Sequence, residues 1–259
     1  MAPDRLGFND KFEVTPERAG FADKSIDEDK LVDEKEHKDR RHGIYVAAII
    51  PAFNEAPRVM SVIDVLKKDP LVDELVVVDD GSKDNTGEVA RKAGIRTLRH
   101  PSNLGKGAAL ATGLRACAGA SHFLFLDADL VGLTHEHVAA LLKPVLEASG
   151  PMMSIGVFTK GRPFLDLAQH LTPILNGQRC INRQFADVLP DISPSRFGVE
   201  VLLNRYSRHA GLPYVYLPLR GLTHVPKEEK YGLLRGFIAR IGMYKDVFMW
   251  AFRRIQAPD

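Results

Sequence analysis

Short apolar runs alternate with helical patterns from residue 44 to residue 149, and this alternation restricts the chain to few folds. The runs Tyr45–Ile50, Glu74–Val78, Ile95–Leu98 and Phe123–Leu126 are each long enough for a strand and too short for a helix. Between them, apolar residues recur at helical spacing. A chain that alternates in this way forms a parallel sheet with crossover helices on its faces. We therefore predict an α/β fold with a doubly wound, mostly parallel sheet flanked by helices.

The composition of the chain changes along its length. Residues 1–43 are dense in charges of both signs and poor in apolar residues, so they bury too little surface to offset the entropy of ordering. We predict a disordered or loosely helical arm there, with a docking arm for a partner as the alternative. Residues 44–150 carry the regular alternation, and residues 151–226 complete the same domain less regularly. Residues 227–259 are predicted to form a C-terminal amphipathic helix.

The second half has fewer clear patterns. We predict a strand at Met152–Phe158, helices at Leu165–Leu175 and Val199–Ala210, a loop that opens at Asn176–Arg179, and short strands at Tyr214–Pro218 and Leu219–His224.

Bulk properties exclude several functional classes. The net charge is +2, which gives no general attraction to nucleic acid. Cys117 and Cys180 are too few for a disulfide framework, so we expect a reducing, cytoplasmic location. The first ten residues lack the apolar core of a signal peptide. No stretch approaches the roughly 20 apolar residues that span a bilayer.

Two carboxylates follow the apolar run Phe123–Leu126, where that strand is expected to end. Ligands of open parallel sheets bind outside the carboxyl ends of the strands. Asp127 and Asp129 are two positions apart, so on an extended backbone they project to the same side. Two such oxygen donors suit Mg²⁺ or Mn²⁺, and such an ion suits a diphosphate. The alternative is a polar turn or a helix cap.

The other strand ends add to this acidic group, and two common nucleotide-binding motifs are absent from the sequence. Lys106 is followed by Gly107, so the chain has no P-loop, and no glycine-rich dinucleotide fingerprint follows the first strand. Clustered carboxylates repel each other without a counter-charge. A metal, Lys106 and the donor groups of a nucleotide would provide it. The expected cluster comprises Glu55, Asp79, Asp80, Asp127 and Asp129.

Four motifs in order resemble the GT-A nucleotide-sugar glycosyltransferases of the family 2 type: Ala48–Glu55, Val77–Thr86, Asn103–Gly107 and Asp127–Asp129. The resemblance implies that residues 44–150 bind the nucleotide-sugar and that residues 151–226 form the acceptor side. It implies that Glu55 and Asp80 contact the nucleoside, that Lys106 lies near the base or diphosphate, that Asp127 meets the ribose, and that Asp129 meets the metal. The implied nucleotide-sugar contacts are Pro51, Ala52, Asn54, Glu55, Asp80, Gly81, Ser82, Lys106, Asp127 and Ala128.

Within that family, the second half is similar to glucosyl-3-phosphoglycerate synthases. Phe197–Glu200 resembles their G-[YF]-G-V-E segment, with Arg196 in place of the first glycine. The resemblance implies that Glu200 holds the glucose hydroxyls, that His224 completes the metal site with Asp129, and that Arg162 binds the acceptor. The implied catalytic residues are Asp129, Glu200 and Arg162. The chain departs from the group at Pro163–Phe164 and Val225–Pro226.

The predicted reaction is metal-dependent transfer of a hexose, implied to be glucose from UDP-glucose, to a phosphorylated acceptor such as 3-phosphoglycerate. The metal would neutralise charge on the leaving diphosphate. Inverting relatives with an alcohol acceptor use an Asp as general base, usually in a Glu-Asp pair, and no such pair occurs between residues 150 and 225. The enzyme is then retaining, or its acceptor is a phosphate that needs no base. Arg179 and Arg183 are candidates for contact with an acceptor phosphate.

Three alternatives stay open. A polyprenyl-phosphate glycosyltransferase shares the first-half motifs, and a basic C-terminal helix with Trp250 would suit contact with a membrane surface. The same apolar stripe would equally pack on its own domain or on a second copy of the chain. The alternatives of another class are a nucleotidyltransferase and a non-catalytic sugar-nucleotide-binding protein.

Overall fold

Seven strands form one central sheet in a computed structural model that describes residues 43–159, 176–224, 246 and 248–250. These residues all belong to the unit Gly43–Asp259, and residues 1–42 lie outside the described residues. The predictions for the charged arm, for the helix at Leu165–Leu175 and for most of the C-terminal helix therefore lie outside the described residues.

The strands are β1 (Val46–Ala52), β2 (Glu74–Asp79), β3 (Arg96–Arg99), β4 (His122–Phe125), β5 (Leu130–Val131), β6 (Met153–Thr159), β7 (Arg179–Asn182), β8 (Tyr214–Arg220) and β9 (Thr223–His224). The helices are α1 (Val59–Leu66), α2 (Thr86–Lys92), α3 (Lys106–Ala116), α4 (His135–Leu146), α5 (Arg183–Asp187) and α6 (Val199–His209), with a 3-10 segment at Ser193–Gly198.

The sheet order is β3-β2-β1-β4-β7-β6-β8. Strands β1 to β4 pair in parallel, as do β6 and β8, whereas β7 is antiparallel to both of its neighbours. The predicted α/β fold with a mostly parallel sheet is thus confirmed.

Helices cover both faces of this sheet, because its central strands are apolar on both sides. In β1, Ala48 and Ile50 belong to the core shared with α1 and α4, whereas Ala47 and Ile49 belong to the core shared with α3 and α6. All four are fully buried. A continuous apolar run is typical of a parallel strand covered on both faces.

The second half differs from the prediction at two points. The residues predicted to open a loop, Asn176–Arg179, instead lead directly into strand β7, which fills the gap between β4 and β6. The predicted boundary between the strands Tyr214–Pro218 and Leu219–His224 is wrong, because β8 runs through Pro218 to Arg220 and the next strand, β9, covers only Thr223–His224. Strand β8 lies at the edge of the sheet, where a proline without an N–H is tolerated.

A separate two-stranded sheet joins the end of the first half to the end of the second. Strand β5 pairs antiparallel with β9, and Leu130 lies opposite His224. Residues 94 positions apart in sequence are therefore neighbours, and Asp129 precedes this pair directly.

Candidate active site

The carboxyl ends of β1 and β2 form one continuous rim. In the register of the sheet, Ala52 at the end of β1 lies beside Asp79 at the end of β2. The N–H of Asp80 donates to the carbonyl of Ala52 at 2.8 Å, which fixes the two departing loops together. Pro51 lies beyond Ile49, the last β1 residue paired with β4, so its missing N–H leaves the ladder to β4 intact.

The turns after β1 and β2 interlock through side chains that the sequence assigned to nucleoside binding. Asn54 has a φ of 57°, and its N–H donates to Ser82 Oγ at 2.9 Å. In return, the N–H of Lys83 donates to Asn54 Oδ1 at 2.8 Å. The N–H of Glu55 donates to Thr86 Oγ1 at 2.8 Å. Asparagine tolerates a positive φ better than most residues do, which explains its place in this turn.

The backbone conformation and the close packing at position 81 both require glycine. Its φ is 73°, and an added Cβ would come within 2.5 Å of the Ser102 carbonyl carbon. The backbone of the loop after β3 therefore lies directly against the end of β2.

Asp80 anchors the glycine-rich loop Asn103–Gly107. Its carboxylate is buried and accepts from the N–H of Leu104 at 2.9 Å and from the N–H of Gly105 at 2.8 Å. The ring of His100 lies 2.7 Å from the same carboxylate and 2.9 Å from Thr112. The Asp80 carboxylate therefore orients the loop Asn103–Gly107. Sequence reasoning missed His100, because a single histidine after a weak strand carries no distinguishing pattern.

Lys106 is the centre of the charge network at the rim. Its Nζ lies 2.5 Å from Asp127 Oδ1 and 2.6 Å from Glu200 Oε1, so it joins the glycine-rich loop to the end of β4 and to the first turn of α6. Burial on its own would lower the pKa of Lys106, but the two carboxylates outweigh burial and raise it. Lys106 is therefore held as a cation. The structure brings together these three residues, each predicted from sequence.

Asp127 is held ionised by the same network. Burial alone would raise the pKa of Asp127, but Lys106 lowers it, and His224 and a hydrogen bond from Gln178 lower it further. Gln178 Nε2 donates to Asp127 Oδ2 at 2.9 Å, and Gln178 is fully buried. Both oxygens of Asp127 therefore have partners from the protein.

Arg179 lies behind this network. Its guanidinium is buried and donates to Asn204 Oδ1 at 2.7 Å and to the carbonyl of Asn176 at 2.9 Å. Burial lowers the pKa of Arg179 to about 10, although Glu200 partly opposes the shift. The prediction that Arg179 contacts an acceptor phosphate conflicts with this burial. Sequence reasoning missed the structural roles of Gln178 and Arg179 because it placed them at the start of a loop.

Arg183 is also excluded from the rim. Asn182, which precedes it, pairs with His122 at the amino end of β4, away from the carboxyl end. The guanidinium of Arg183 donates to the carbonyl of Ala118 and forms an ion pair with Asp187. It supports the opposite end of the sheet.

Three glycines let backbone approach the network closely. An added Cβ at Gly177 would meet Lys106 Nζ and come within 2.8 Å of Asp127 Oδ2. Added Cβ atoms at Gly105 and Gly107 would collide with Arg196 and Ser195 of the 3-10 segment. The glycines around Lys106 are thus explained by packing in this structure.

The β5–β9 pairing brings the backbone of Asp129 near that of His224. Asp129 directly precedes Leu130, which lies opposite His224, and the His224 ring packs edge-on to Phe158 with centroids 5.4 Å apart. His224 is exposed. Within the part of the chain that the structure describes, no group of three or more His, Cys, Asp or Glu side chains is arranged to hold a metal.

The remaining predicted residues are placed as follows. Ala128 is buried between the two aspartates in sequence. Arg162 lies outside the described residues. Trp250 is buried in the core beside α6, so it is unavailable for membrane insertion, whereas Phe248 and Met249 are exposed. Among the described residues, no helix has the length and apolarity needed to cross a bilayer.

Comparison with known proteins decides the family. Residues 47–206, more than half of the chain, match the model for glycosyl transferase family 2. The chain belongs to glycosyltransferase family 2. Glucosyl-3-phosphoglycerate synthase of Mycobacterium tuberculosis is 29% identical over 240 residues, which cover 77% of this chain and 73% of that protein.

Two further relatives match over shorter segments. An uncharacterised protein of Methanocaldococcus jannaschii is 38% identical over 112 residues, which cover 43% of this chain and less than half, 45%, of that protein. Dolichyl-phosphate beta-glucosyltransferase of Dictyostelium discoideum is 34% identical over 110 residues, which cover 36% of this chain and 33% of that protein.

A solved structure supports the same assignment. The crystal structure of the M. tuberculosis glucosyl-3-phosphoglycerate synthase in complex with Mn²⁺, UDP-glucose and phosphoglyceric acid has a TM-score of 0.66 at 26% identity, covering 87% of this chain and 85% of that chain. The predicted GT-A fold is confirmed, and the family assignment replaces the nucleotidyltransferase alternative.

Proposed function

We propose that this protein is a metal-dependent glycosyltransferase that moves glucose from UDP-glucose to a phosphorylated small-molecule acceptor such as 3-phosphoglycerate. The observation that carries the proposal is the ion pair of Lys106 with Asp127 and Glu200 at the carboxyl rim of the sheet. The similarity of this chain to a synthase whose crystal structure contains UDP-glucose and phosphoglyceric acid supports this donor and acceptor.

The donor half of the site is proposed to be residues 44–150. The interlocked turns after β1 and β2 would form a rigid floor for the nucleoside, because three backbone N–H groups and three side chains fix them to each other. The proposed contacts are Pro51, Ala52, Asn54, Glu55, Asp80, Gly81, Ser82, Lys106, Asp127 and Ala128.

The Lys106 network supplies the polar groups that a nucleotide-sugar needs. Donor diphosphate oxygens would provide Lys106 with new anionic partners. Asp127 would then accept from ribose hydroxyls, and Glu200 from glucose hydroxyls. Ionised carboxylates suit both roles, since charge-assisted hydrogen bonds are about twice as strong as neutral ones.

A Mg²⁺ or Mn²⁺ ion fits the residues Asp129 and His224. Asp129 directly precedes Leu130, the residue paired with His224, and both oxygens of Asp127 are engaged by Lys106 and Gln178. Asp129 and His224 would hold the ion together with the donor diphosphate, which leaves Asp127 for the ribose. When bound, the ion supplies Lewis-acid stabilisation of the leaving diphosphate.

The acceptor side is proposed to be residues 151–226, with Arg162 as the phosphate anchor. We propose a retaining reaction in which the leaving phosphate takes the acceptor proton, because the sequence between residues 150 and 225 lacks a Glu-Asp pair. Proton NMR of the first product formed distinguishes retention from inversion. An inverted anomer would contradict this assignment.

A polyprenyl phosphate is the second candidate acceptor. Similarity to dolichyl-phosphate beta-glucosyltransferases and the exposure of Phe248 and Met249 favour it. The burial of Trp250 removes one of the predicted membrane contacts.

The test measures release of nucleoside diphosphate from UDP-glucose and GDP-mannose with Mg²⁺ or Mn²⁺. Each donor is assayed with 3-phosphoglycerate, with a short polyprenyl phosphate, and with neither. We expect UDP release that 3-phosphoglycerate stimulates and that EDTA abolishes. Stimulation by the lipid phosphate alone would favour the second candidate. No metal-dependent release and no donor binding would contradict the proposal.

A further inference from the structure

Arg196 has a backbone conformation that suits glycine. Its φ is 49° and its ψ is −120°, within the 3-10 segment Ser193–Gly198. Among the described residues other than glycine, Asn54 is the one other residue with a positive φ, and asparagine tolerates that region. The related G-[YF]-G-V-E segment has glycine at the Arg196 position. The chain therefore keeps a glycine-like backbone while it carries a long cationic side chain.

The side chain of Arg196 reaches across to the glycine-rich loop. Nη1 donates to the Leu104 carbonyl at 3.3 Å, and Nη2 donates to Asn103 Oδ1 at 3.2 Å. Nε lies 3.8 Å from Asp246 Oδ2. Arginine is suited to this task because its planar fork presents several donors in fixed directions.

The segment around Arg196 is confined on both sides. On one side, a Cβ at Gly105 would come within 2.9 Å of Arg196, so the loop and the segment are in direct contact. On the other side, a Cβ at Gly198 would come within 2.5 Å of Trp250. Trp250 is fixed in turn, since its carbonyl accepts from Arg205 of α6 at 2.5 Å.

The two elements joined by Arg196 carry the two ends of one ion pair. Lys106 follows the loop residues that Arg196 contacts, and Glu200 lies in the first turn of α6, directly after the segment. Their charged atoms are 2.6 Å apart. A contact this short requires the start of α3 and the start of α6 to keep a fixed separation.

We propose that Arg196 is a positioning residue that fastens the loop Asn103–Gly107 to the start of α6, so that Lys106 and Glu200 meet at the donor site. The inference rests on the proposed function for its effect on donor binding. This role explains why the chain carries arginine on a backbone conformation that suits glycine. A glycine at position 196 would relieve the backbone strain but would lose the contacts to Asn103 and Leu104.

The test compares Arg196→Gly with Arg196→Ala, Arg196→Lys and the matched control Arg208→Ala, an exposed arginine of α6. Arg196→Gly should have a higher Tm than Arg196→Ala, because both lose the side chain and glycine alone relaxes the backbone. Both variants should bind UDP-glucose about tenfold more weakly, the effect of losing one or two hydrogen bonds. Arg196→Lys should recover part of this loss, and Arg208→Ala should match wild type.

Amide hydrogen exchange without nucleotide gives a readout that is independent of the donor. The N–H groups of Leu104 and Gly105 donate to Asp80, and we expect them to exchange about tenfold faster in Arg196→Gly than in wild type. An unchanged exchange rate overturns the proposal, and so does an unchanged Kd for UDP-glucose. If wild type binds no nucleotide-sugar, the proposed function fails, and the exchange rate alone decides the role of Arg196.

Discussion

Lys106→Met removes the cation between Asp127 and Glu200 and keeps most of the side-chain volume. The two contacts are 2.5 and 2.6 Å long. At an effective dielectric constant of about 20, each is worth about 6 kcal/mol of attraction before desolvation is counted. Loss of one partner from a buried ion pair costs about 3–5 kcal/mol. The Asp127 side chain is 24% exposed, so water partly compensates its charge. We therefore expect a loss at the lower end of this range, about 3 kcal/mol in the free energy of unfolding.

Urea denaturation at pH 7 without nucleotide measures this loss. A double-mutant cycle adds Glu200→Gln to wild type and to Lys106→Met. We expect a coupling energy between Lys106 and Glu200 of about 1–3 kcal/mol. Lys92→Met is the matched control, because Lys92 lies 2.8 Å from Glu88 with both side chains exposed, and it should change stability by less than about 0.5 kcal/mol. If Lys106→Met behaves like this control, the buried network is refuted.

Three more predictions concern the residues around the site and the core. Burial lowers the pKa of His122, so its stabilising contribution is present above about pH 6.5 and is lost as the pH falls through the lower folded value. We expect His122→Gln to flatten the change in urea midpoint between pH 7.5 and pH 5, and an unaltered profile would contradict this. Gly177→Ala should cost about 1–3 kcal/mol in thermal denaturation and weaken UDP binding, because its Cβ displaces Lys106, whereas normal binding would argue against the observed packing. Trp250→Ala should cost about 3 kcal/mol, and Phe248→Ala, at an exposed position, less than about 0.5 kcal/mol; equal effects would disprove burial of Trp250 against α6.

The donor side of the site could be predicted from the sequence because it depends on topology more than on detail. In a parallel sheet, residues that follow β1, β2 and β4 reach one rim whatever the exact packing. Apolar runs locate those strand ends to within one or two residues. Asn54, Asp80 and Asp127 therefore come together as expected.

The second half was harder to predict for physical reasons. Strand β7 has four residues, and two of them, Arg179 and Asn182, are polar, so its apolar pattern is too short to recognise. Strand β8 runs through Pro218 because it lies at the edge of the sheet, and the strand order is a tertiary property. The roles of His100 and Gln178 depend on partners distant in sequence.

The central claim is that a nucleotide-sugar with a metal ion binds at the rim where Lys106, Asp127 and Glu200 meet. Isothermal titration calorimetry of UDP-glucose with Mn²⁺ tests it most directly, on wild type, on Lys106→Met and on the control Lys92→Met. We predict binding by wild type and the control, loss of that binding in EDTA, and at least tenfold weaker binding by Lys106→Met, since the variant removes a charge-assisted contact. Equal affinity in all three proteins, or no binding by wild type, would contradict the account.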